Sequence, residues 1–298
     1  SGLRYSDQKD DLDASKHYLE LSNREQAMLD RVTADYENVI LIVNAANTME
    51  LGFVEDYSQI KSVIWCPGTG QSGFNSLGKI LNGEVNPSAK TSDTFVRDLT
   101  ATPTYNNFGN FTYDNMDEFA DDGVNPNFVN YTDGIYVGYR FYETAAEEGF
   151  LNYEEAVQYP FGYGLSYTQF KQEMGELNVN NGTISVDVTV TNTGSVAGKD
   201  VVEVYYNPPY TNRRKEKASV NLAGFAKTQM LEPGASETVT VTFTEEDMAS
   251  YDDKNAKAYV LEAGDYEISL RTDSHTVVDT KTYTIDETIT YGEGNARS

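Results

Sequence analysis

The period of the hydrophobic pattern changes near residue 173, and this change does most to limit the folds open to the chain. Beyond it, apolar and polar residues alternate, as they do from Ile184 to Val190, and such alternation predicts strands with one wet face. Turn-forming pairs such as Asn181-Gly182 and Pro233-Gly234 separate the strands. About seven short strands in ~115 residues predict an immunoglobulin-like β-sandwich. Because the Cys…Trp…Cys pattern of immunoglobulin domains is absent, we expect the fibronectin-III type.

The N-terminal half has a different pattern, in which helices alternate with short apolar runs. Ser22-Asn23-Arg24-Glu25 is a capping box and predicts a helix over residues 22–36. The β-branched run at 39–43 predicts a strand buried on both faces, as in a parallel sheet. The pattern continues with a helix over 49–58, a strand over 62–66, a glycine turn and a helix over 72–82. Short links between these elements predict an α/β sandwich, with a mostly parallel sheet flanked by helices.

Charge and cysteine content exclude several classes of function. The chain has 22 basic and 47 acidic side chains, a formal net charge of −25, which would repel nucleic acid and anionic membrane surfaces. The single cysteine, Cys66, rules out an intramolecular disulfide, and with two histidines a Cys/His metal site is not expected. Because Cys66 ends an apolar run, we interpret it as a buried hydrophobe. No apolar segment approaches the ~20 residues that span a bilayer, and the N-terminus has no signal-peptide pattern.

Two candidate binding segments follow predicted strands at the carboxyl edge of the sheet, where open α/β sheets bind ligands. Gly68 and Gln71 lie in the glycine turn after the second strand. This turn has neither the GxGxxG nor the P-loop pattern, so a tight turn is favoured over a nucleotide site. After the first strand, the amides of Asn44 and Asn47 are suited to sugar hydroxyls, and capping of the next helix by Asn44 is an equal alternative.

A long irregular stretch, residues 100–133, is rich in Asn, Asp, Gly and aromatic residues and has no clear period. Long irregular segments in compact domains are often functional. Two interpretations stay open: a binding loop, and a surface excursion anchored by its Phe and Tyr side chains.

Three stretches, in order, resemble one family. They are similar to three features of family 3 glycoside hydrolases: the strand, glycine turn, helix and G-x-x-NPSG hairpin at residues 65–90, the Y-x-[ED]-G-I-Y-V-G-Y-R-Y-Y signature at Tyr131–Tyr142, and the PFGYGLSYT entry to the β domain at Tyr159–Thr168. The family usually continues NPSG with Leu-Pro, whereas this chain continues with Ala89-Lys90-Thr91. The variant resembles members whose sandwich precedes the barrel, so that the terminal YGEGNARS would be a linker to a barrel.

The resemblance implies retaining hydrolysis by two carboxylates. It implies an Asp nucleophile in a (β/α)₈ barrel that is absent from this chain. It also implies an acid/base Glu in a loop that precedes the first residues of this chain. No catalytic role is therefore assigned to any residue here. Residues 1–172 would form the α/β sandwich domain without its first strand, and residues 173–298 the fibronectin-III-like domain with a C-terminal linker. The chain would form the wall and aglycone side of the active site. The substrate-binding candidates are Asn44, Asn47, Gly68, Gln71, Tyr105, Phe108, Phe111 and Tyr113.

The function implied is part of a retaining β-glycosidase, β-glucosidase-like, that removes terminal non-reducing β-D-glucosyl residues in carbohydrate catabolism. The alternative is a non-catalytic carbohydrate-binding or structural module. Expected partners are a β-linked glucoside or oligosaccharide and the catalytic barrel, in the same protein or in a companion chain. No nucleic acid, metal or organic cofactor is expected. A homo-oligomer stays open, and a bacterial cell-associated or secreted location is favoured over a cytoplasmic one.

Overall fold

The computed structural model describes residues 16–17, 19–107, 111–118, 127–210 and 215–297. Its contacts divide the chain into two compact units, one within residues 1–67 and 95–137 and the other within 68–94 and 138–298. The second unit contains the whole β-sandwich and the segments that pack on it. The domain boundary at residues 172/173 stays a prediction.

The elements follow the predicted order, helices and short strands first and long strands afterwards. The helices are α1 (Asn23–Asp35), α2 (Phe74–Leu81), α3 (Pro103–Asn107), α4 (Tyr139–Glu147) and α5 (Tyr153–Ala156), with 3-10 helices at Gly52–Asp56, Leu99–Ala101, Met116–Glu118 and Glu245–Met248. The early strands are β1 (Val39–Val43), β2 (Ile60–Trp65), β3 (Phe95–Val96), β4 (Phe111–Thr112), β5 (Asn127–Phe128) and β6 (Val157–Tyr159). Within the described ranges, no helix is long and apolar enough to cross a membrane.

The first unit begins with the predicted helix, α1. Ser22 accepts a hydrogen bond from the N–H of Glu25, and the Glu25 carboxylate accepts one from the N–H of Ser22, so the capping box is confirmed. The predicted helix over 49–58 is wrong, because a 3-10 helix at Gly52–Asp56 takes its place. Met49 and Leu51, which precede it, are both buried. Residues two apart point to different sides of an α-helix, so burying both favours an irregular loop.

The parallel pairing of β1 with β2 is confirmed, but burial of β1 on both faces is not. Ile40 is 50 % exposed and Ile42 is 37 % exposed, whereas Val43 is buried. In the described part of the chain this sheet consists of β1 and β2 alone. Alternate side chains of a strand point to opposite faces, so Ile40 and Ile42 share the uncovered face. The apolar residues of helix α2 predict an inward face that includes Phe74, Leu77 and Leu81, but only Leu77 is buried and the other two are exposed.

The glycine turn before α2 is confirmed by its backbone. Gly68 and Gly70 have φ of +56° and +62°, a region that favours glycine because it has no Cβ. Gly73 has an ordinary helical conformation at the N-cap of α2, but an added Cβ would lie 2.3 Å from the carbonyl oxygen of Thr69. At position 73 a glycine is therefore required because a side chain would clash with Thr69. At positions 68 and 70 a glycine is favoured because the backbone has a positive φ.

We expect Gly73→Ala to reduce the free energy of unfolding by about 1–3 kcal/mol, the usual cost of overpacking. Gly78→Ala in the middle of α2 is the matched control, because nothing lies within 4 Å of its added Cβ. The control should raise stability by about 0.5–1 kcal/mol, the helix preference for alanine. Urea unfolding of the two variants measures both effects. Equal effects of the two substitutions would contradict the crowding at Thr69.

The β-sandwich occupies the end of the chain, and its fibronectin-III-like architecture agrees with the predicted fold class. Its strands are β7 (Phe170–Asn180), β8 (Thr183–Asn192), β9 (Val201–Asn207), β10 (Asn221–Lys227), β11 (Ser236–Thr244), β12 (Ser250–Asp252), β13 (Ala258–Leu261), β14 (Gly264–Arg271), β15 (Val277–Ile285) and β16 (Ile289–Tyr291). They form sheets in the orders β10-β9-β14-β15, β11-β8-β7 and β12-β13-β16. The alternating set Ile184, Val186, Val188 and Val190 is fully buried, as predicted, and packs in one core with Val204, Ile268 and Leu270.

The segments that carry the resemblance pack on one another within the second unit. The Asn86 side chain accepts hydrogen bonds from the Ser166 hydroxyl and the Tyr167 N–H, and donates one to the carbonyl of Ala197. The Thr91 N–H donates to the carbonyl of Tyr163, and its own carbonyl accepts the N–H of Gly162. The NPS and PFGYGLSYT motifs thus hold each other in place.

Candidate functional site

The loop after β1 carries the two asparagines predicted to bind sugar. Asn44 is exposed, and it does not cap a helix, because Leu51 holds the N-cap position of the next one. Asn47 donates from Nδ2 to the carbonyl of Thr48 at 2.9 Å, while its Oδ1 is buried without a hydrogen-bond partner in the structure. A buried acceptor without a donor is costly. Asn47 thus has an acceptor without a donor among the described residues, and its binding of a sugar hydroxyl stays a prediction.

Trp65, at the end of β2, fixes the shape of this loop. Its indole N–H donates to the carbonyl of Ala45 at 2.9 Å, and its ring meets Phe95 edge to face, with centroids 5.2 Å apart. The adjacent Cys66 is partly exposed rather than buried as expected. Burial still raises the pKa of the Cys66 thiol, which keeps it protonated and weakens it as a nucleophile.

Gly68 and Gln71 are placed differently from the asparagines, since they belong to the second unit. Both are exposed in the turn that leads into α2. Gly68 has a conformational role, because its φ is positive. Gln71 has an amide that is accessible to a ligand, and binding by either residue stays a prediction.

The irregular stretch contains an aromatic hairpin formed by β4 and β5. Phe111 pairs with Phe128 across the two strands, with ring centroids 5.9 Å apart, and Tyr113 lies 4.6 Å from Phe128 at an interplanar angle of 33°. Phe111 and Tyr113 are 41 % and 48 % exposed. Half-exposed rings leave a face for stacking against a ligand, so the interpretation of this stretch as a binding loop stays a prediction. Of the other candidates, Tyr105 lies on α3 and is half-exposed, and Phe108 lies outside the described residues.

Glu50 and His17 form a pair that sequence analysis missed. Glu50 Oε1 lies 2.8 Å from His17 Nε2 and accepts the N–H of Leu99 at 2.6 Å. The His17 ring in turn meets the edge of Tyr105 at 5.6 Å. These contacts fix the backbone that leads to Tyr105. The partners are 33 and 49 residues from Glu50 in sequence, so no local pattern could reveal them.

Two family models match the chain. The glycosyl hydrolase family 3 C-terminal domain matches residues 3–139, and the fibronectin type III-like domain matches residues 200–274. The chain belongs to glycoside hydrolase family 3. Both regions lie in the order that the sequence motifs predicted, and the described residues contain no (β/α)₈ barrel.

Family 3 relatives are similar over most of this chain. It is 35 % identical to a beta-glucosidase of Ruminococcus albus over 272 residues, 90 % of this chain and 26 % of that protein. It is 36 % identical to beta-glucosidase A of Butyrivibrio fibrisolvens over 85 % of this chain and 30 % of that protein. An exo-alpha-(1->6)-L-arabinopyranosidase of Bifidobacterium longum is 30 % identical over 93 % of this chain and 34 % of that protein.

Solved structures of family 3 beta-glucosidases have the same fold. The enzyme of Paenibacillus barengoltzii matches 94 % of this chain with a TM-score of 0.78 at 31 % identity. Beta-glucosidase 3B of Thermotoga neapolitana, in complex with alpha-D-glucose, matches 94 % with a TM-score of 0.76 at 29 % identity. The chain covers 30 % and 36 % of these two structures. It therefore spans about a third of the solved relatives and slightly less of the first two curated ones.

Proposed function

We propose that this chain is the non-barrel part of a retaining β-glycosidase, β-glucosidase-like, that acts on terminal non-reducing β-D-glucosyl residues. The observation that carries the proposal is its similarity, at 35–36 % identity over 85–90 % of its length, to two beta-glucosidases. The partners are a β-linked glucoside or oligosaccharide and a catalytic (β/α)₈ barrel, in the same protein or in a companion chain.

In the proposed reaction two carboxyl groups act on opposite sides of the anomeric carbon. One attacks it, while the other protonates the departing oxygen and later activates water. Neither of these two carboxyl groups is assigned to a residue of this chain. The chain contributes binding groups: the free acceptor of Asn47 for a sugar hydroxyl and the rings of Phe111 and Tyr113 for the aglycone. Water exclusion by such a wall strengthens the electrostatic interactions of the two carboxylates.

In the complete enzyme, we expect Asn47→Ala and Tyr113→Ala each to lower kcat/KM for nitrophenyl β-glucoside about tenfold, since tenfold corresponds to about 1.4 kcal/mol, the net value of one good polar or stacking contact. Phe225→Ala is the matched control, because Phe225 is an exposed aromatic residue of β10 in the sandwich. Steady-state kinetics of the three variants measures this. Unchanged kcat/KM in the first two, or an equal loss in the control, would contradict the proposed binding groups.

A further inference from the structure

The loop between β14 and β15, Thr272–Thr276, contacts several segments that precede the sandwich in the chain; we call it the latch loop. The N–H of Ser274 donates to the carbonyl of Phe161 at 2.8 Å. The Ser274 hydroxyl donates to Oε1 of Glu143, a buried residue of α4, at 3.0 Å. The latch loop thereby attaches both α4 and the PFGYG turn to the sandwich.

His275 adds a second attachment beside Ser274. Its Nδ1 lies 2.9 Å from Oε2 of Glu143. The ring of Tyr153, in α5, stacks on the His275 imidazole with centroids 3.6 Å apart and planes 6° from parallel. One imidazole therefore joins α4 and α5 to the latch loop, through an ion pair when it is protonated.

Acidic groups outnumber basic ones around the latch loop. Three carboxylates, those of Glu143, Glu203 and Asp273, are each at most 6 % exposed. The buried guanidinium beside them belongs to Arg271, which pairs with Glu203 across β14 and β9. The guanidinium donates to neutral oxygens of Ser269, Asn207 and Ser274. Buried charges are costly unless they are paired. A second cation, Lys90, donates from Nζ to the carbonyl of Thr272 at 3.3 Å, but it is only partly buried. Three buried acids against one buried permanent cation therefore leave a shortage of positive charge that bound protons can compensate.

Glu203 is placed to hold one such proton. The Tyr205 hydroxyl donates to its carboxyl group at 2.6 Å, and a Cβ on Gly162 of the PFGYG turn would lie 2.2 Å from its Oε2. Burial raises the pKa of Glu203 to about 7. The groups that also act on it are Tyr205 and Lys90, which lower the pKa, and Asp273 and Asp200, which raise it.

His275 is placed to hold the second proton. The hydrogen bond with Glu143 raises the pKa of His275 above its ordinary value, although burial opposes the rise. The carboxylates of Asp273, in the latch loop, and Glu154, in α5, act in the same direction as Glu143. Protonated His275 would therefore be the positively charged partner of the buried Glu143 carboxylate.

We propose that the latch loop is a proton-dependent fastening: protons on Glu203 and His275 hold the PFGYG turn, α4 and α5 against the sandwich, and their loss as pH rises through neutrality loosens the attachment. Both groups have a raised pKa in the folded chain, so both stabilise it at low pH and lose this effect as pH rises. The folded chain keeps a proton on Glu203 between about pH 4.5 and pH 7, where the unfolded chain releases it. His275 continues the effect above its ordinary value of 6.5. Stability should therefore fall as pH rises through this window.

The test is urea and thermal unfolding of the full chain from pH 5 to pH 8 at constant ionic strength. One retained proton increases the unfolding constant about tenfold per pH unit, so the wild-type midpoint should fall steadily. Glu203→Gln mimics the protonated form. Its stability should change little between pH 5 and pH 6.5, and at pH 8 it should exceed that of the wild type. When His275→Gln is added to Glu203→Gln, the double variant should lose the pH dependence that remains above pH 6.5.

Two controls separate the latch from the large surface charge. Glu173→Gln removes one exposed carboxylate of β7 and should keep the wild-type pH dependence. Salt at 0.5 M screens exposed charges but leaves buried groups largely unaffected, so the slope should survive it. A wild-type midpoint that does not change between pH 5.5 and pH 8, a slope abolished by salt, or a slope left intact by Glu203→Gln would overturn the proposal.

Discussion

Asn192→Ala should reduce the free energy of unfolding by about 3 kcal/mol or more, because it removes four hydrogen bonds of one fully buried side chain. Asn192 is fully buried at the end of β8. Its Nδ2 donates to the carbonyls of Val196 and Leu231, both at 2.8 Å. Its Oδ1 accepts hydrogen bonds from the Thr168 hydroxyl at 2.8 Å and the Gly194 N–H at 3.1 Å. Alanine satisfies none of these four groups.

Thr191→Ala is the matched control for Asn192→Ala. Thr191 is the preceding residue of the same strand and points outward, where its hydroxyl lies 2.7 Å from that of Ser236. Its replacement should cost about 0.5 kcal/mol or less, as is usual at an accessible surface. Chemical denaturation of both variants gives the difference. A loss below about 1 kcal/mol for Asn192→Ala would mean that water or a rearranged loop replaces its hydrogen bonds.

Sequence patterns predicted the structure well where the deciding contacts are local. The Ser22–Glu25 capping box needs only residues three apart. The Asn181-Gly182 turn has φ of 50° and 75°, a conformation that Asn and Gly adopt readily in two-residue hairpins. Alternation over 184–190 determined both the strand and its buried face.

Prediction failed where burial depends on distant parts of the chain. The composition of β1 is typical of a strand covered on both sides, yet Ile40 and Ile42 are exposed. Likewise, Phe128 belongs to the aromatic hairpin because it pairs with Phe111 across β4 and β5. An irregular sequence has no alternating pattern from which the register of such a pair could be predicted. The candidate site was therefore only partly predictable: Asn47 stays a predicted binding residue, and no local pattern indicated its unpaired acceptor or the Glu50 contact that supports Tyr105.

Two of the three motifs that carry the family resemblance, NPS and PFGYGLSYT, make structural contacts in this chain. Asn86 joins two segments by hydrogen bonds, and Gly162 lies against Glu203 where no side chain fits. Such residues tolerate few replacements, so they make specific signatures without taking part in chemistry. These contacts support the proposal that this part of the protein shapes an active site without supplying its two reacting carboxylates.

The second large effect concerns activity. Retaining hydrolysis needs two carboxyl groups roughly 5 Å apart across the sugar ring, and the proposed function assigns neither to this chain. The isolated chain, although folded, should therefore hydrolyse nitrophenyl β-glucoside no faster than buffer does. Enzymes commonly accelerate reactions by more than 10⁶-fold, so the difference from an active preparation would be far outside assay error.

The most direct measurement compares the isolated chain with the same chain co-expressed with the proposed upstream strand and catalytic barrel, from the same protein or from a companion chain. Nitrophenyl β-glucoside, β-xyloside and β-N-acetylglucosaminide are the substrates. We predict no turnover from the isolated chain and β-glucoside hydrolysis from the assembled protein. Turnover by the isolated chain would contradict the assignment of both catalytic carboxylates to other segments, and an inactive assembled protein whose isolated chain binds sugar would instead indicate a non-catalytic binding module.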